Sequence, residues 1–299
     1  MDGTLLWAAA GFILVGHLGL DPDRRRIRRI SAFQYRFHRL FARFEPLLLH
    51  ALDHMMESRR LMGSRIGRRV LTAIARMSGT LPHGIVITTA TAERVVDLLA
   101  SSEGPKGARF AIGPCLCQTS CGKYRDPVVK DVFMLYAADM FTSLRREFRY
   151  ASPEEVKALL RECHEAGLVH ELDYCMQSGR WTFCICNCEK EVCVLTRAYL
   201  HTGLMLAAGP ERIVASPERC LGREKCGRCI ERCMFGANFV ADDEVQVDPG
   251  KCLGCGLCVS TCSGGARKMA PRSDYALGHL VPLELLLGEA PAPSGQTVP

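Results

Sequence analysis

The sequence predicts an α+β protein with an N-terminal helical extension, a cysteine-rich α+β domain of winged-helix-like element order, and a C-terminal domain built on an internal repeat. Three observations lead to this prediction. Apolar and amphipathic patterns fill the first 80 residues, strand-like and helix-like segments alternate in the middle of the chain, and one cysteine pattern occurs twice near the C-terminus. The predicted segments are, in chain order, 1–30, 31–80, 81–210, 211–272 and 273–299.

The composition indicates a sizeable core and an unusual number of thiols. The 299 residues are 48% apolar, which leaves room for two domains and an extension and excludes both a wholly disordered chain and a polytopic membrane protein. The seventeen cysteines are an odd number, and many stand one to three residues apart. Such spacing favours metal thiolates over a disulfide framework, which is typical of short secreted chains.

The first 30 residues combine an apolar run with a basic flank. Thr4 to Leu20 is a mostly apolar run of seventeen residues, at the short limit for a helix that crosses a bilayer. Five Arg follow between residues 21 and 29, and such positive flanks remain in the cytoplasm. We therefore expect a single membrane span that holds the protein at the cytoplasmic face of the membrane. An in-plane or partner-bound helix and a buried core helix are the alternatives.

Residues 31–77 show an amphipathic helical pattern. Apolar residues recur every three or four positions, while Arg36, Arg39 and Arg43 mark another face. Such helices could lie on an anionic membrane surface or pack on the next domain. Pro46 predicts a bend or a break. The basic character belongs to this part of the chain, because residues 1–77 hold fourteen Arg against six acidic residues in a chain of net charge +6.

The middle segment predicts alternating strands and helices. Residues 84–88 read as a strand, and helices are expected from Thr91, from Asp126-Pro127 and from Ser152 to Ala166. The last of these has a capping box with Pro at its first position. Two apolar segments, 168–172 and 180–185, then predict a hairpin.

A cysteine pattern occurs twice between residues 218 and 270. Each copy has the form Cys-x2-Cys-x3-Cys-x2-Gly-Ala, and the second copy lies 29 residues after the first. The cysteines of the two copies are Cys226, Cys229 and Cys233, then Cys255, Cys258 and Cys262. Cys252 completes the second run, and Cys220 precedes the first at a longer spacing. An internal repeat of this kind points to two equivalent metal-binding loops.

These roughly 50 residues resemble the bacterial-type two-[4Fe-4S] ferredoxin domain. The resemblance implies a pseudo-twofold βαβ-repeat fold, electron transfer, and two [4Fe-4S] clusters in which the fourth cysteine of each run ligates the other cluster. It therefore assigns Cys220, Cys226, Cys229 and Cys262 to one cluster and Cys252, Cys255, Cys258 and Cys233 to the other. The family's Pro after the fourth cysteine is replaced by Met234 and Ser263. Zinc ribbons, the alternative, would need separate four-thiolate sites.

The remaining cysteines form two further groups, one at residues 115–121 and one at residues 184–193. Cys-x-Cys pairs cannot easily close a relaxed disulfide but can present two thiolates to different irons. Together with Gly167-Leu168-Val169-His170, these groups resemble a cysteine-rich region that precedes ferredoxin domains in some anaerobe proteins. We expect a third iron–sulfur cluster here, with a zinc site, redox-active thiols or structural thiols as alternatives. The best ligand candidates are Cys115, Cys117, Cys184, Cys186 and Cys188.

The function expected from these patterns is that of an iron–sulfur electron-transfer protein or a subunit of a redox complex, relaying single electrons between a donor and an acceptor protein. A redox-sensing regulator that binds DNA through the winged-helix-like segment is one alternative. The net charge of −2 on the helix from Pro153 to Ala166 argues against it, since such a helix repels phosphates. An iron–sulfur enzyme that uses the third cluster is the other alternative, although no nucleotide or flavin fingerprint supports it.

Overall fold

The computed structural model describes residues 32–78, 82–102, 109–175 and 182–275. The predicted span from Thr4 to Leu20, its basic flank and nearly all of the predicted C-terminal tail lie outside these ranges. Within the described part of the chain, every helix is too short or too polar to cross a bilayer.

Three helices form the N-terminal part: α1 (Ala32–Glu57), α2 (Arg59–Gly63) and α3 (Arg65–Ser78). Helix α1 continues unbroken through Pro46, where the sequence predicts a bend or a break. Its buried residues, among them Ala42 and Leu49, join a hydrophobic cluster with the cysteine-rich domain. The predicted amphipathic helices therefore pack on the next domain, although Phe44 and Leu47 remain 61% and 68% exposed.

A seven-stranded sheet forms the centre of the molecule, with strand order β4-β2-β3-β6-β5-β1-β7. All neighbouring strands are antiparallel except β1 and β7, which are parallel. The strands are β1 (Pro82–Ile87), β2 (Phe110–Pro114), β3 (Val129–Met134), β4 (Arg149–Ala151), β5 (Val169–Cys175), β6 (Thr182–Cys188) and β7 (Leu206–Ala207). The helices between them are α4 (Thr89–Ser102), α5 (Leu116–Cys121), α6 (Tyr136–Leu144), α7 (Pro153–Glu165) and α8 (Val194–Thr202).

The predicted hairpin is present as β5 and β6, but its surroundings differ from a winged helix. Strand β6 also pairs with β3, and β5 also pairs with β1, so the hairpin lies inside the large sheet. The helix predicted to begin at Asp126 is wrong, because Val129–Met134 forms β3 and the helix begins only at Tyr136. Five consecutive residues of β3 are buried, and such a run satisfies a helical and a strand pattern equally well.

Both faces of the sheet are covered, so residues on both sides of its central strands are buried. One face carries Val132, Leu172 and Ile185 and packs against α4 and α7. The opposite face carries Phe133 and Cys184 and packs beneath α1, α6 and α8. Because side chains alternate along a strand, residues two apart on β5 and β6 point to this second face together.

The C-terminal part contains two strand–helix–strand units in succession. The strands are β8 (Glu211–Ala215), β9 (Asn238–Ala241), β10 (Glu244–Val247) and β11 (Arg267–Pro271), and the short helices are α9 (Gly222–Lys225), α10 (Arg228–Glu231) and α11 (Leu257–Ser260). Strand β9 pairs with β10, whereas β8 pairs with the distant β11, both antiparallel. The first and last strands of this part are thus held together.

Specific contacts join the C-terminal part to the sheet. The Gly209 N–H donates to the Leu253 carbonyl at 3.0 Å, and the buried Arg272 guanidinium donates to the carbonyls of Gly209 and Cys252 at 3.2 and 2.8 Å. A hydrophobic cluster that includes Val86 of β1 and Phe235 lies beside these bonds. The cysteine loops therefore pack directly on the sheet through hydrogen bonds and apolar contacts.

A buried ion-pair group anchors α1 to the cysteine-rich domain. Asp53, 4% exposed, accepts hydrogen bonds from Lys123 at 2.6 and 2.9 Å and from Arg197 of α8. Burial alone would raise the pKa of Asp53, but the two cations outweigh burial and lower that pKa below its ordinary value. The resulting stability is present above the unfolded-state pKa of about 4 and is lost as the pH falls through the lower folded-state pKa.

We expect Asp53→Asn to lower the free energy of unfolding by about 3 kcal/mol, because it leaves two partly buried cations without their counter-ion. Glu57→Gln is the matched control. Glu57 lies on the same helix and also pairs with Lys123, but it is 51% exposed, so its loss should cost less than about 1 kcal/mol. Urea unfolding followed by circular dichroism measures both, and equal effects of the two variants would contradict this account of the anchor.

Candidate metal centres

The two cysteine loops of the C-terminal part have the same local structure. Gly227 and Gly256, with φ of 70° and 80°, stand immediately before the one-turn helices α10 and α11. Each glycine carbonyl accepts an N–H from the residue three positions on, Ile230 or Val259, at 2.9 Å. The left-handed conformation at these positions is one that glycine adopts without strain, so the sequence can form this tight loop twice.

The last cysteine of each run is also held in the same way. The Sγ of Cys233 accepts the Ala237 N–H at 3.2 Å, and the Sγ of Cys262 accepts the Ala266 N–H at 3.1 Å. Gly236 and Gly265, with φ of 63° and 59°, turn the chain between sulfur and donor. Backbone N–H groups that point at sulfur favour its thiolate form, which is the form that binds metal.

The structure brings cysteines of different runs together. Burial raises the pKa of Cys255 and Cys258 to about 12, and nearby Cys233 and Cys252 contribute to both shifts. Cys233, the last cysteine of the first run, therefore acts electrostatically on two cysteines of the second run, and it packs on the same hydrophobic cluster as Cys255. Cys220 and Cys226 lie near Cys229, whose pKa is raised chiefly by burial. Buried thiols of this kind resist ionisation unless a cation is present.

Arg267 on β11 is a contributor that the sequence reasoning missed. Its side chain is 4% exposed and lies near a cysteine of each run, where its positive charge opposes the upward pKa shifts of Cys229 and Cys258. The signal in the sequence was weak, since a single Arg in a strand looks like an exposed residue.

A second group of cysteines lies on the face of the large sheet that packs beneath α1, α6 and α8. In the pairing of β5 with β6, Glu171 stands opposite Cys186, and Asp173 stands opposite Cys184. Directly opposite residues share a face, and Cys188 follows Cys186 on that face by strand alternation. The Sγ of Cys184 lies 3.6 Å from that of Cys186, and the two sulfurs lie 3.1 and 3.7 Å from Asp173 Oδ2.

Helix starts supply the remaining thiols of this group. Cys115 stands at the N-terminal cap of α5 and Cys193 at that of α8. The thiols of Cys115 and Cys193 both act on the pKa of Cys117, and the sulfur of Cys193 lies within 4.8 Å of that of Cys188. Six thiols therefore lie close together in this domain; they are Cys115, Cys117, Cys184, Cys186, Cys188 and Cys193.

Two subsets of this group have donor atoms within 4.8 Å of one another, Glu171 with Cys188 and Cys193, and Asp173 with Cys184 and Cys186. The structure brings together the five cysteines that the sequence favours as ligands. Cys193, which the sequence groups with them but does not favour as a ligand, and both carboxylates also belong to this site. The period-two pattern Glu171-x-Asp173 opposite Cys184-x-Cys186-x-Cys188 was the signal that could have identified the acids.

Charge in this group is poorly compensated. Burial raises the pKa of Asp131 and of Asp173 to about 7, and raises that of Glu171 well above its ordinary value. Hydrogen bonds from Cys117 and Cys188 hold the pKa of Cys193 well below its usual range. Among the described residues, Asp131 Oδ1, Glu171 Oε2 and Asp173 Oδ1 are buried oxygens without a hydrogen-bond partner.

Two other cysteines of this domain stand apart from the group. Cys163 is fully buried in α7 on the opposite face of the sheet, among Val156, Leu160 and other apolar side chains. Cys121 at the end of α5 is half-buried. All sixteen cysteines whose side chains the structure describes are free of disulfides.

Comparison with known proteins identifies one segment. Residues 245–268 match a family model described as a 4Fe-4S binding domain. The match contains Cys252, Cys255, Cys258 and Cys262, and it confirms that this end of the chain is an iron–sulfur domain. No curated protein and no solved structure matches the chain.

Close backbone packing beside the matched cysteines gives a test of the loop geometry. Gly254 has φ of +87°, and a Cβ there would lie 2.1 Å from the Glu211 carbonyl oxygen. Gly222 has a similar φ of +75° but no neighbour within 4 Å. We expect Gly254→Ala to release iron to a chelator at least about tenfold faster than Gly222→Ala, because only Gly254→Ala forces the loop away from β8. Similar release rates for the two variants would show that this close approach is unimportant.

Proposed function

We propose that the protein is an electron carrier whose C-terminal domain, residues 211–272, holds two [4Fe-4S] clusters with exchanged ligands. In this proposal, one cluster is bound by Cys252, Cys255, Cys258 and Cys233, and the other by Cys220, Cys226, Cys229 and Cys262. The observation that carries the proposal is that Cys233 of the first run packs on the same hydrophobic cluster as Cys255 and, together with Cys252, acts on the pKa of Cys255 and Cys258. A pair of independent zinc ribbons gives no reason for that exchange.

The chain's own residues support cluster binding in three ways. Converging thiols from two loops supply the ligands, Ala237 and Ala266 donate N–H groups to sulfur, and apolar neighbours such as Leu253 and Leu257 keep water away. When bound, the clusters supply reversible one-electron transfer.

Electron donor and acceptor proteins are the proposed partners. Cys220 is exposed, whereas Cys252 and Cys258 are buried, so the first cluster lies nearer the surface. We place the partner contact at this exposed end. Lys225 and Arg223 of α9 lie beside it, which favours a partner with an acidic surface.

Attachment at the cytoplasmic face of a membrane is part of the proposal. Its support is the exposed Phe44 and Leu47 of α1 together with the Arg-rich composition of α1 to α3. In the sequence, the described helices follow shortly after the apolar and basic residues 4–29.

A DNA-binding regulator has less support. The basic residues of α7 are already engaged, Lys157 with Asp97 at 2.7 Å and Arg161 with Glu93 at 2.5 Å. With these charges neutralised, the helix offers no cationic face to a phosphate backbone.

The proposal predicts the outcome of removing the exchanged cysteine. Anaerobically purified protein should contain at least about eight iron and eight sulfide ions per chain, and after reduction its EPR spectrum should show two interacting centres. Cys233→Ala should remove up to about four irons and abolish the interaction signal, because it takes a ligand from one cluster and leaves the other cluster alone in the domain.

Cys163→Ala is the control for that experiment, since Cys163 is buried in α7 away from either loop. It should leave the iron content and the EPR spectrum unchanged. A colourless, zinc-containing product would refute the proposal, as would a Cys233→Ala variant that retains two interacting centres.

A further inference from the structure

We infer that the cysteine-rich domain holds a separate, buried iron–sulfur centre with mixed ligation, in which carboxylates of Glu171 and Asp173 join six neighbouring thiols. The inference rests on the proposed function for the identity of the metal and for the role of the centre in electron transfer. The donor atoms come from the hairpin β5 and β6 and from the starts of α5 and α8, so they do not overlap with the C-terminal loops. The six thiols are those of Cys115, Cys117, Cys184, Cys186, Cys188 and Cys193.

Two compact sets of donor atoms lie next to each other in this domain. Glu171 with Cys188 and Cys193 forms one group of donors within 4.8 Å, and Asp173 with Cys184 and Cys186 forms another. The two groups are adjacent because Glu171 stands opposite Cys186 and Asp173 opposite Cys184 in the pairing of β5 with β6. Two adjacent sets of donors suit a centre with more than one metal ion, whereas a structural zinc ion is satisfied by four ligands.

The two carboxylates of these sets also carry uncompensated polar atoms. Glu171 is fully buried and Asp173 is 7% exposed, yet each has an oxygen without a hydrogen-bond partner in the described part of the chain. A buried acceptor without a partner costs roughly 1 to 3 kcal/mol. The other oxygen of Asp173 lies 3.1 and 3.7 Å from the sulfurs of Cys184 and Cys186, so a cation bound among these thiols would also stabilise this buried carboxylate.

A simple disulfide between Cys184 and Cys186 does not account for this group of thiols. Cys184 and Cys186 lie two residues apart on one strand with their sulfurs 3.6 Å apart, and closing a bond over so short a loop strains the backbone. A disulfide would also leave four thiols and both carboxylates unexplained. Soft thiolates in this number select iron–sulfur clusters, zinc or Cu(I) among the metals common in proteins.

The surroundings are built to hold negative charge. Lys130 of β3 is 1% exposed, donates to Glu189 at 3.0 Å, and lies near the thiols of Cys115 and Cys188. Its buried ammonium group can offset part of the charge that thiolate and carboxylate ligands bring to the site. A buried lysine at this place is costly unless anions lie beside it.

The position of the centre suits a role as a third redox centre in electron transfer through the protein. Cys193 begins α8, and Leu195 and Tyr199 of that helix pack on the hydrophobic cluster that Cys233 and Cys255 also contact. The Tyr199 ring meets the Phe235 ring edge to face, with centroids 5.9 Å apart. One apolar layer therefore separates this centre from the cluster of the second run.

The test uses the full chain, supplied anaerobically with ferrous iron and sulfide and analysed by metal content and by Mössbauer spectroscopy with 57Fe. We expect iron above the roughly eight ions of the C-terminal domain. Cys184→Ser/Cys186→Ser should remove the excess iron and leave the interacting EPR signals. Cys121→Ser, a half-buried cysteine outside the group, is the matched control and should change neither.

A second variant guards against a failure of the double variant to fold. Asp173→Asn keeps the shape of the side chain but removes its charge, and it should diminish the Mössbauer component of iron with an oxygen ligand, since Glu171 remains, while the circular dichroism spectrum is unchanged. An Asp173→Asn spectrum identical to that of the unmodified chain would overturn the mixed ligation.

The outcomes separate the two proposals. About eight irons in the unmodified chain, unaffected by Cys184→Ser/Cys186→Ser, would overturn the buried centre and leave the C-terminal clusters intact. Zinc in place of the excess iron would also overturn it. Iron that persists in Cys255→Ser/Cys258→Ser and is lost in part when Cys184→Ser/Cys186→Ser is added would support the centre, even if the C-terminal domain proved to bind its metal in another way.

Discussion

The need of buried thiols for a cation is the constraint on which the structure depends. Thiols in an apolar interior resist ionisation, and those of Cys255 and Cys258 have pKa values of about 12. A metal ion reverses this preference because it stabilises the thiolate directly. Both cysteine groups place several sulfurs where water could not compensate the charge of a thiolate, so a metal ion bound at either group would stabilise the thiolates and the fold together.

Much of the fold could be predicted from local chemistry. The capping box at Ser152, in which the Glu155 side chain also accepts the Ser152 N–H, sets the start of α7. Strands β5 and β6 form the expected hairpin. The failure at β3 has a clear cause. Val132, Phe133 and Met134 are all buried because the sheet is covered on both faces, and local sequence does not reveal how many faces of a segment will be covered.

The candidate site shows the same division. Spacing singled out the cysteines as ligand candidates, since thiolates that bind one cluster lie close along the chain or recur in a repeat. Glu171, Asp173 and Arg267 escaped because their importance depends on partners far away in sequence. Strand pairing places Glu171 opposite Cys186, and the pairing of β8 with β11 carries Arg267 into the cysteine loops. Such pairings are properties of topology, which a single sequence reveals only in part.

Arg267 also has a consequence for how the C-terminal domain can be regulated. One buried guanidinium lies near Cys229 and near Cys258, one from each loop. Its positive charge cannot favour the thiolate of one loop without favouring that of the other. A substitution at this position would therefore act on both loops together, and an independent adjustment of either loop must come from residues that touch only one of them, such as Asn238 at Cys258.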